Sequence, residues 1–365
     1  MKIAVLPRDP NPYQGLLYGE MARWGVTARY LGELTGSHTL NVLALPLELV
    51  AARLAGVRVV HVHWLYRFAL PAPAGHHDGV RRVMQMWAWL LPRWARLLRM
   101  KVVWTAHNAL PHDRIFWDDR AARRQLVAAC DLVLAHDEAV LSELAAFGAR
   151  PRRSAVIPQG AYVDCYPPGV GRAAARAALG ASPQDVVLLF FGRIAAYKGV
   201  EDLLVAADKA VASGRVILQV IGDCPDAALR RRLEASAAAY GPAVRLDPRH
   251  VPDEQVADLF AAADVVVLPF QAVSNSGSAL LAMTFGRPVV VPPLEAFDEF
   301  PPDACVRYDG TTEDLRAVLA RLAEPETASE LATRAEGPAR AFAEERTWRH
   351  CAQETFTALA RLRWP

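Results

Sequence analysis

The sequence predicts an α/β chain built from two doubly wound, parallel-sheet domains facing across a cleft. Three observations predict it. Short β-rich runs alternate with longer helical patterns along the whole chain. The runs are almost continuously apolar, as strands covered by helices on both faces must be. They form two series, separated by Pro158-Gln159-Gly160 and Tyr166-Pro167-Pro168-Gly169, a stretch with the composition of a hinge.

The first series reads Lys2–Leu6, Val57–His63, Lys101–Ala106, Asp131–Ala135 and Ala155–Pro158. The second reads Val186–Phe191, Val216–Ile221, Asp264–Leu268, Pro288–Val291 and Cys305–Tyr308. Domains are expected over 1–166 and 167–346, with a last helix in 347–365 returning to the first. At 365 residues, 53% hydrophobic and 22% charged, the chain is long enough for two cored domains and too apolar for disorder. The five cysteines, Cys130, Cys165, Cys224, Cys305 and Cys351, form no CxxC pair, which argues against zinc or a disulfide framework and for a reducing compartment. The amino terminus enters a strand without signal-peptide layout, and no run of about 18 apolar residues would span a bilayer. A cytoplasmic location is expected, peripheral on the inner membrane face if the surface helix described next touches lipid.

Charge is unevenly divided. Residues 1–166 hold 20 Lys and Arg against 13 Asp and Glu, and the remainder 21 against 26. A basic first half suits an acidic or membrane-associated partner, or is ordinary surface scatter. The segment Arg81–Lys101 concentrates the excess, with six basic residues, three Trp and no acid. Arg93, Arg96 and Arg99 share one helical face and Trp94, Leu97 and Leu98 the other. That pattern suits either a membrane interface or a sheet-covering helix with solvated Arg, and Pro92 is expected to break or kink it. The basic charge comes without a nucleic-acid-binding module.

The densest chemical signal is Asp264–Pro292. A strand runs into Ser274-Asn275-Ser276-Gly277-Ser278, then a helix over Ala279–Phe285, Gly286 and another strand. Backbone N–H groups at a helix start, with Ser hydroxyls and a Gly permitting close approach, make an anion site at the carboxyl edge of the sheet, and a diphosphate is the expected anion. Gly192 and Arg193 end another strand, and Lys198-Gly199 opens the next helix. Two cations across such a turn can neutralise a diphosphate, Arg by a bidentate grip and Lys as a point charge. His107 ends a strand with Asn108 behind it, a polar pair that faces a cleft or is hydrogen-bonded structurally. His61 and His63 share a strand face by the period of two, but no third metal ligand is evident. Gly15, in the loop after the first strand, is a candidate for donor phosphate or acceptor, and Asp118-Asp119 reads as a solvated helix face.

The segments FFGRIAAYKGVEDLL, VIGDCP, HVPDEQVADLFAAADVVVLPF and SGSALLAMTFGRPVV, with HVHW, VVWTAHNALPHD, LAHDEAV and IPQGAY before them, resemble those of GT-B-fold nucleotide-sugar glycosyltransferases. The similarity is to the large family of glycogen synthase and the bacterial exopolysaccharide enzymes, and it spans almost the whole chain. It implies that Arg193 and Lys198 hold the β-phosphate and stabilise the leaving nucleoside diphosphate, that His107 reaches the donor sugar, and that Gly192, His250, Val251, Asn275, Ser276, Gly277 and Ser278 bind the donor, with the 250–252 loop cradling the base. It implies no cofactor and no metal, the nucleotide-sugar being a substrate. The partners implied are a UDP- or GDP-sugar and a glycan acceptor, polyprenyl-diphosphate-linked or a soluble small molecule. An inactive nucleotide-sugar binder and a 2-epimerase are the other readings of the same architecture.

The chain departs from the family's pattern at its paired Glu residues. Leu281 stands at the second position and Val273 near the first, with Ser274 and Asn275 beside it. Ribose is then expected to be held otherwise, through Ser276 or Ser278, and an inverting path would draw a base from His107 or Asp113.

Overall fold

The computed structural model describes residues 1–9, 11–65, 70, 77–111, 114–273 and 275–362. Asp113 and Ser274 lie outside the described residues. The chain divides into two compact units, Met1–Gly160 with Trp348–Pro365, and Ala161–Thr347, so residues 161–166 fall in the second unit.

The first unit carries β1 (Lys2–Leu6), α1 (Pro12–Ala22), β2 (Thr27–Tyr30), α2 (His38–Leu54), β3 (Val59–Val62), α3 (His77–Leu97), β4 (Lys101–Ala106), α4 (Asp119–Ala129), β5 (Leu132–Ala135), α5 (Glu138–Ala146) and β6 (Ser154–Val156). Its sheet is parallel, in the order β2-β1-β3-β4-β5-β6. The second unit carries α6 (Arg172–Ala178), β7 (Val186–Phe191), α7 (Val200–Ala206), α8 (Asp208–Ala212), β8 (Val216–Ile221), α9 (Ala227–Ala238), β9 (Val244–Asp247), α10 (Asp253–Ala262), β10 (Val265–Val267), α11 (Gly277–Thr284), β11 (Val289–Val291), β12 (Cys305–Arg307), α12 (Thr312–Leu322) and α13 (Pro325–Glu345). Its parallel sheet runs β12-β11-β10-β7-β8-β9. The closing helix α14 (Trp348–Ala360) belongs to the first unit and packs on α1.

Every residue of β3, β8, β10 and β11 is buried, which is why these runs read as continuously apolar. The strand order reverses beside β1 in the first unit and beside β7 in the second. In doubly wound sheets such switch points are where ligands bind, at the strands' carboxyl ends.

Three sequence expectations change. The edge strands β2 (TARY) and β9 (VRLD) are absent from the two predicted series, because a strand at a sheet edge stays half exposed and polar. Pro92 does not break α3, which runs unbroken from His77 to Leu97. In the turn around Pro92 the Arg93 guanidinium donates to the Trp89 carbonyl at 2.7 Å. Gly15 lies in the first turns of α1, exposed, rather than in a loop.

The second unit is clipped by a buried carboxylate. Asp264 accepts from the Val187 N–H at 2.8 Å and the Arg176 guanidinium at 3.0 Å, and also pairs with Arg172. Arg176 is itself buried, so removing its partner strands a charge. Asp264→Ala is expected to cost about 3–5 kcal/mol, read as a lowered urea midpoint with an unchanged slope.

Candidate functional site

In the second unit the chain turns sharply after β7 and β8. Gly192 has φ +130° and donates its N–H to the Ile221 carbonyl at 3.1 Å. A Cβ on Gly192 would stand 2.7 Å from the Ser278 Oγ, and one on Gly222 only 1.8 Å from the Gly192 carbonyl oxygen. Two backbones and the start of α11 therefore meet where no side chain fits.

Arg193 leaves this turn exposed, and Lys198 closes a 3-10 turn, Ala196–Lys198, ahead of the α7 start at Gly199. Among the described residues no carboxylate pairs with either cation. The Lys198 ammonium lies 3.5 Å over the Phe270 ring, and desolvation lowers its pKa from the ordinary lysine range to about 7. Two unpaired cations on one side of the switch point, and the N–H groups of Gly277 and Ser278 on the other, make an anion-receptive edge.

The loop before α11 differs in detail from the expectation. Ser276 is 1% exposed and its hydroxyl caps the helix, accepting from the Ala279 N–H at 3.1 Å. It is therefore a cap rather than a free ribose ligand. Ser278 remains partly exposed beside Gly192, as does Asn275. Leu281 is buried in α11, so nothing at that position can hold a sugar hydroxyl. His250 is exposed and Val251 buried just before α10, and the His250 carbonyl receives the Arg249 guanidinium at 3.4 Å.

In the first unit the carboxyl ends of β3, β4 and β5 bring four histidines together. His61 and His63 stack at 4.3 Å, and both touch the Tyr18 hydroxyl, at 2.8 Å and 3.0 Å. His61 also meets the Thr105 hydroxyl at 2.7 Å. His107 lies between His63 (3.3 Å) and His136 (3.1 Å), and His136 reaches the Ile157 carbonyl at 3.0 Å. Burial holds all four imidazoles neutral, lowering His61 to about 3, His136 to about 4, and His63 and His107 well below the usual range. Trp64 stacks on His107 at 4.2 Å and 10°. Tyr13 sets its ring edge-on to His63, His107, His136 and Trp348. The buried Arg123 guanidinium donates to the Ala109 carbonyl at 3.0 Å and fixes the loop that carries His107 and Asn108.

Sequence reasoning singled out His61, His63 and His107 but missed Tyr13, Tyr18 and His136. His136 sits at the end of β5 within LAHDEAV, the position His107 has after β4, and that parallel was the available signal. Asp118 and Asp119 are not a bare solvated pair, because Asp118 caps α4 through the Ala121 N–H and Asp119 accepts from Phe116 N–H. Among the described residues no group of three His, Cys, Asp or Glu side chains is placed to hold a metal ion.

Residues 185–334 match the family described as "Glycosyl transferases group 1". A D-inositol 3-phosphate glycosyltransferase of Geodermatophilus obscurus is 38% identical over 177 residues, covering 46% of this chain and 39% of that protein. The chain thus spans about two-fifths of the length of that relative. A GDP-mannose:glycolipid 4-beta-D-mannosyltransferase of Xanthomonas campestris pv. campestris is 29% identical over 272 residues, 71% of this chain and 69% of that one. Among solved structures, Anabaena HepE in complex with UDP-glucose superposes with a TM-score of 0.74 at 17% identity, covering 99% of this chain and 100% of that one. The sucrose-phosphate synthase of Thermosynechococcus elongatus gives the same TM-score at 18% identity, over 99% and 98%. The two-domain α/β fold is that of the GT-B proteins.

Lys198 gives the anion edge a pH signature. Its proton is lost as pH rises through about 7. Affinity for UDP is expected to fall between pH 7.5 and 9, by up to about tenfold per unit. Lys198→Met is expected to bind UDP more weakly and with a flat profile, measured by titration calorimetry. An unchanged slope in that variant would remove Lys198 from the site. Because folded Lys198 gives up its proton before the unfolded chain does, its unfavourable contribution to stability eases as pH rises from about 7 into the ordinary lysine range.

Proposed function

We propose that the chain, whose residues 185–334 match the group 1 glycosyl transferases, transfers a sugar from a UDP- or GDP-sugar to a glycan acceptor carried on a lipid. The observation that carries the donor half is the unpaired Arg193 and Lys198 beside Gly192 and Ser278, at the point where the second sheet reverses. Developing charge on the leaving diphosphate is stabilised best by donors already in place. Gly277 and Ser278 supply backbone N–H groups, Asn275 and the 250–251 loop line the donor, and ribose contact falls to Ser278 and backbone. His107, Asn108 and Gly15 belong to the acceptor-side unit. Its relatives support the reading, one being a GDP-mannose:glycolipid mannosyltransferase, and the HepE neighbour was solved in complex with UDP-glucose.

The acceptor half is supported by the outer face of α2 and α3. Leu40, Leu43, Leu47 and Leu54 on α2 are exposed, as are Val83, Met86, Leu90 and Leu97 on α3, with Leu47 at 75% and Leu97 at 72%. The Trp94 indole donates to the Pro46 carbonyl at 3.1 Å and ties the helices into one face. Arg82, Arg93, Arg96 and Arg99 border it. Exposed apolar side chains with guanidinium groups on the same helices suit an anionic bilayer surface and support a peripheral position on the inner membrane face. Among the described residues no helix is long and apolar enough to cross a membrane. The inositol-phosphate relatives favour a second reading, a soluble acceptor.

Two measurements test this. UDP or GDP at 100 times its Kd is expected to stabilise the chain by about 2.7 kcal/mol, a shift in Tm that Arg193→Ala reduces sharply. No shift with either nucleotide would overturn the donor assignment. Vesicles containing anionic lipid are expected to co-sediment the protein, with Leu47→Asp and Leu97→Asp together lowering binding at least about tenfold. Indifference to vesicles, with transfer to a soluble acceptor, would favour the second reading.

A further inference from the structure

The four histidines, Tyr18 and Thr105 form one unbroken hydrogen-bond chain, and one end of it is a group that can only accept. The Ile157 carbonyl has no proton, so His136 must carry its proton on Nδ1. A neutral imidazole has one N–H, so His136 Nε2 is bare and accepts from His107 Nδ1. His107 Nε2 is then bare and accepts from His63 Nδ1. His63 Nε2 accepts from the Tyr18 hydroxyl, Tyr18 oxygen accepts from His61 Nδ1, and His61 Nε2 accepts from Thr105. With all four rings neutral, this is the only arrangement that satisfies every contact. The reverse direction fails at Ile157.

We infer that the Ile157 carbonyl sets the proton positions of the whole chain, and that His136 is a positioning residue holding His107 as a neutral Nδ1–H tautomer with no free ring nitrogen. Because a carbonyl passes no proton onward, the chain is not a conduit. It fixes the His107 ring against Trp64, at 4.2 Å and nearly parallel, so that His107 offers a ring face and C–H edges. Resting on the glycosyltransferase reading, this removes His107 as the base that an inverting transfer would need and leaves it a shape-defining group. His61, His63 and His136 are almost fully buried, with Tyr13 lying across the chain, so water does not compete for these nitrogens.

The test is long-range proton–nitrogen NMR of the ring nitrogens in the 15N-histidine-labelled full chain at pH 7, with rings assigned by single substitutions. Histidine in water favours the Nε2–H form, so four Nδ1–H imidazoles are a distinctive expectation. His136→Phe keeps the ring volume but removes the acceptor, and His107 is expected to lose its pure Nδ1–H signature. His61→Phe, at the far end, is expected to leave His107 and His136 unchanged, because the direction is set from Ile157. An Nε2–H or charged His107 in the parent chain, or a His107 tautomer indifferent to His136→Phe, would overturn the inference. If His136→Phe does not fold, the parent spectrum and His61→Phe still decide it. UDP binding is measured on the same samples, so failure of the donor reading is seen separately from failure of the tautomer chain.

Discussion

The turn after β7 in the second unit exists because two glycines let backbones touch. With a Cβ on Gly222 the Gly192 carbonyl would have to move, and with one on Gly192 the Ser278 hydroxyl would. That approach sets the start of α11 against the ends of β7 and β8 and puts Arg193 and Lys198 on the same edge. The cations, the helix N–H groups and the Ser278 hydroxyl are useful to an anion only together, and their convergence depends on this one close approach. The buried Asp264 clip with Arg172 and Arg176 holds the strands beneath it.

The first unit solves a similar packing problem with the opposite electrostatics. Its strand ends carry neutral imidazoles hydrogen-bonded to one another, to the Tyr18 hydroxyl and to the Ile157 carbonyl, with Trp64 stacked on them, where the second unit leaves cations without a carboxylate. A fully paired polar network in a buried site rigidifies what it touches, whereas an unpaired ammonium over an aromatic ring awaits a partner. The two edges are thus suited to different tasks, a fixed aromatic surface in one and charge neutralisation in the other.

Much of this was legible in the sequence. Central strands buried on both faces must be apolar throughout, so β1, β4, β7 and β8 stand at their expected bounds, whereas β2 and β9, half solvated at the sheet edges, carry no such signature. The Gly192-Arg193 turn and the Ser-Gly-Ser helix start were readable because close backbone approach and helix capping demand those residue types at those places. The Ser276 hydroxyl turning inward as a cap was readable from the usual preference for Ser at helix starts, but competed with a ligand role. The histidine chain was not readable, because its links join positions 21 to 45 residues apart, such as Tyr18 with His63 and His136 with Ile157, that only the sheet order brings together. Pro92 misled because a proline inside a long helix need not end it, and α3 continues through it to Leu97.

The central claim is that a nucleoside diphosphate sits at the switch point of the second sheet. Hydrogen exchange of the full chain, with and without saturating UDP or GDP, tests it most directly. The account predicts slowed exchange confined to peptides covering 192–199 and 275–280, since those hold the cations and the helix N–H groups. Protection elsewhere with these peptides unchanged would contradict it.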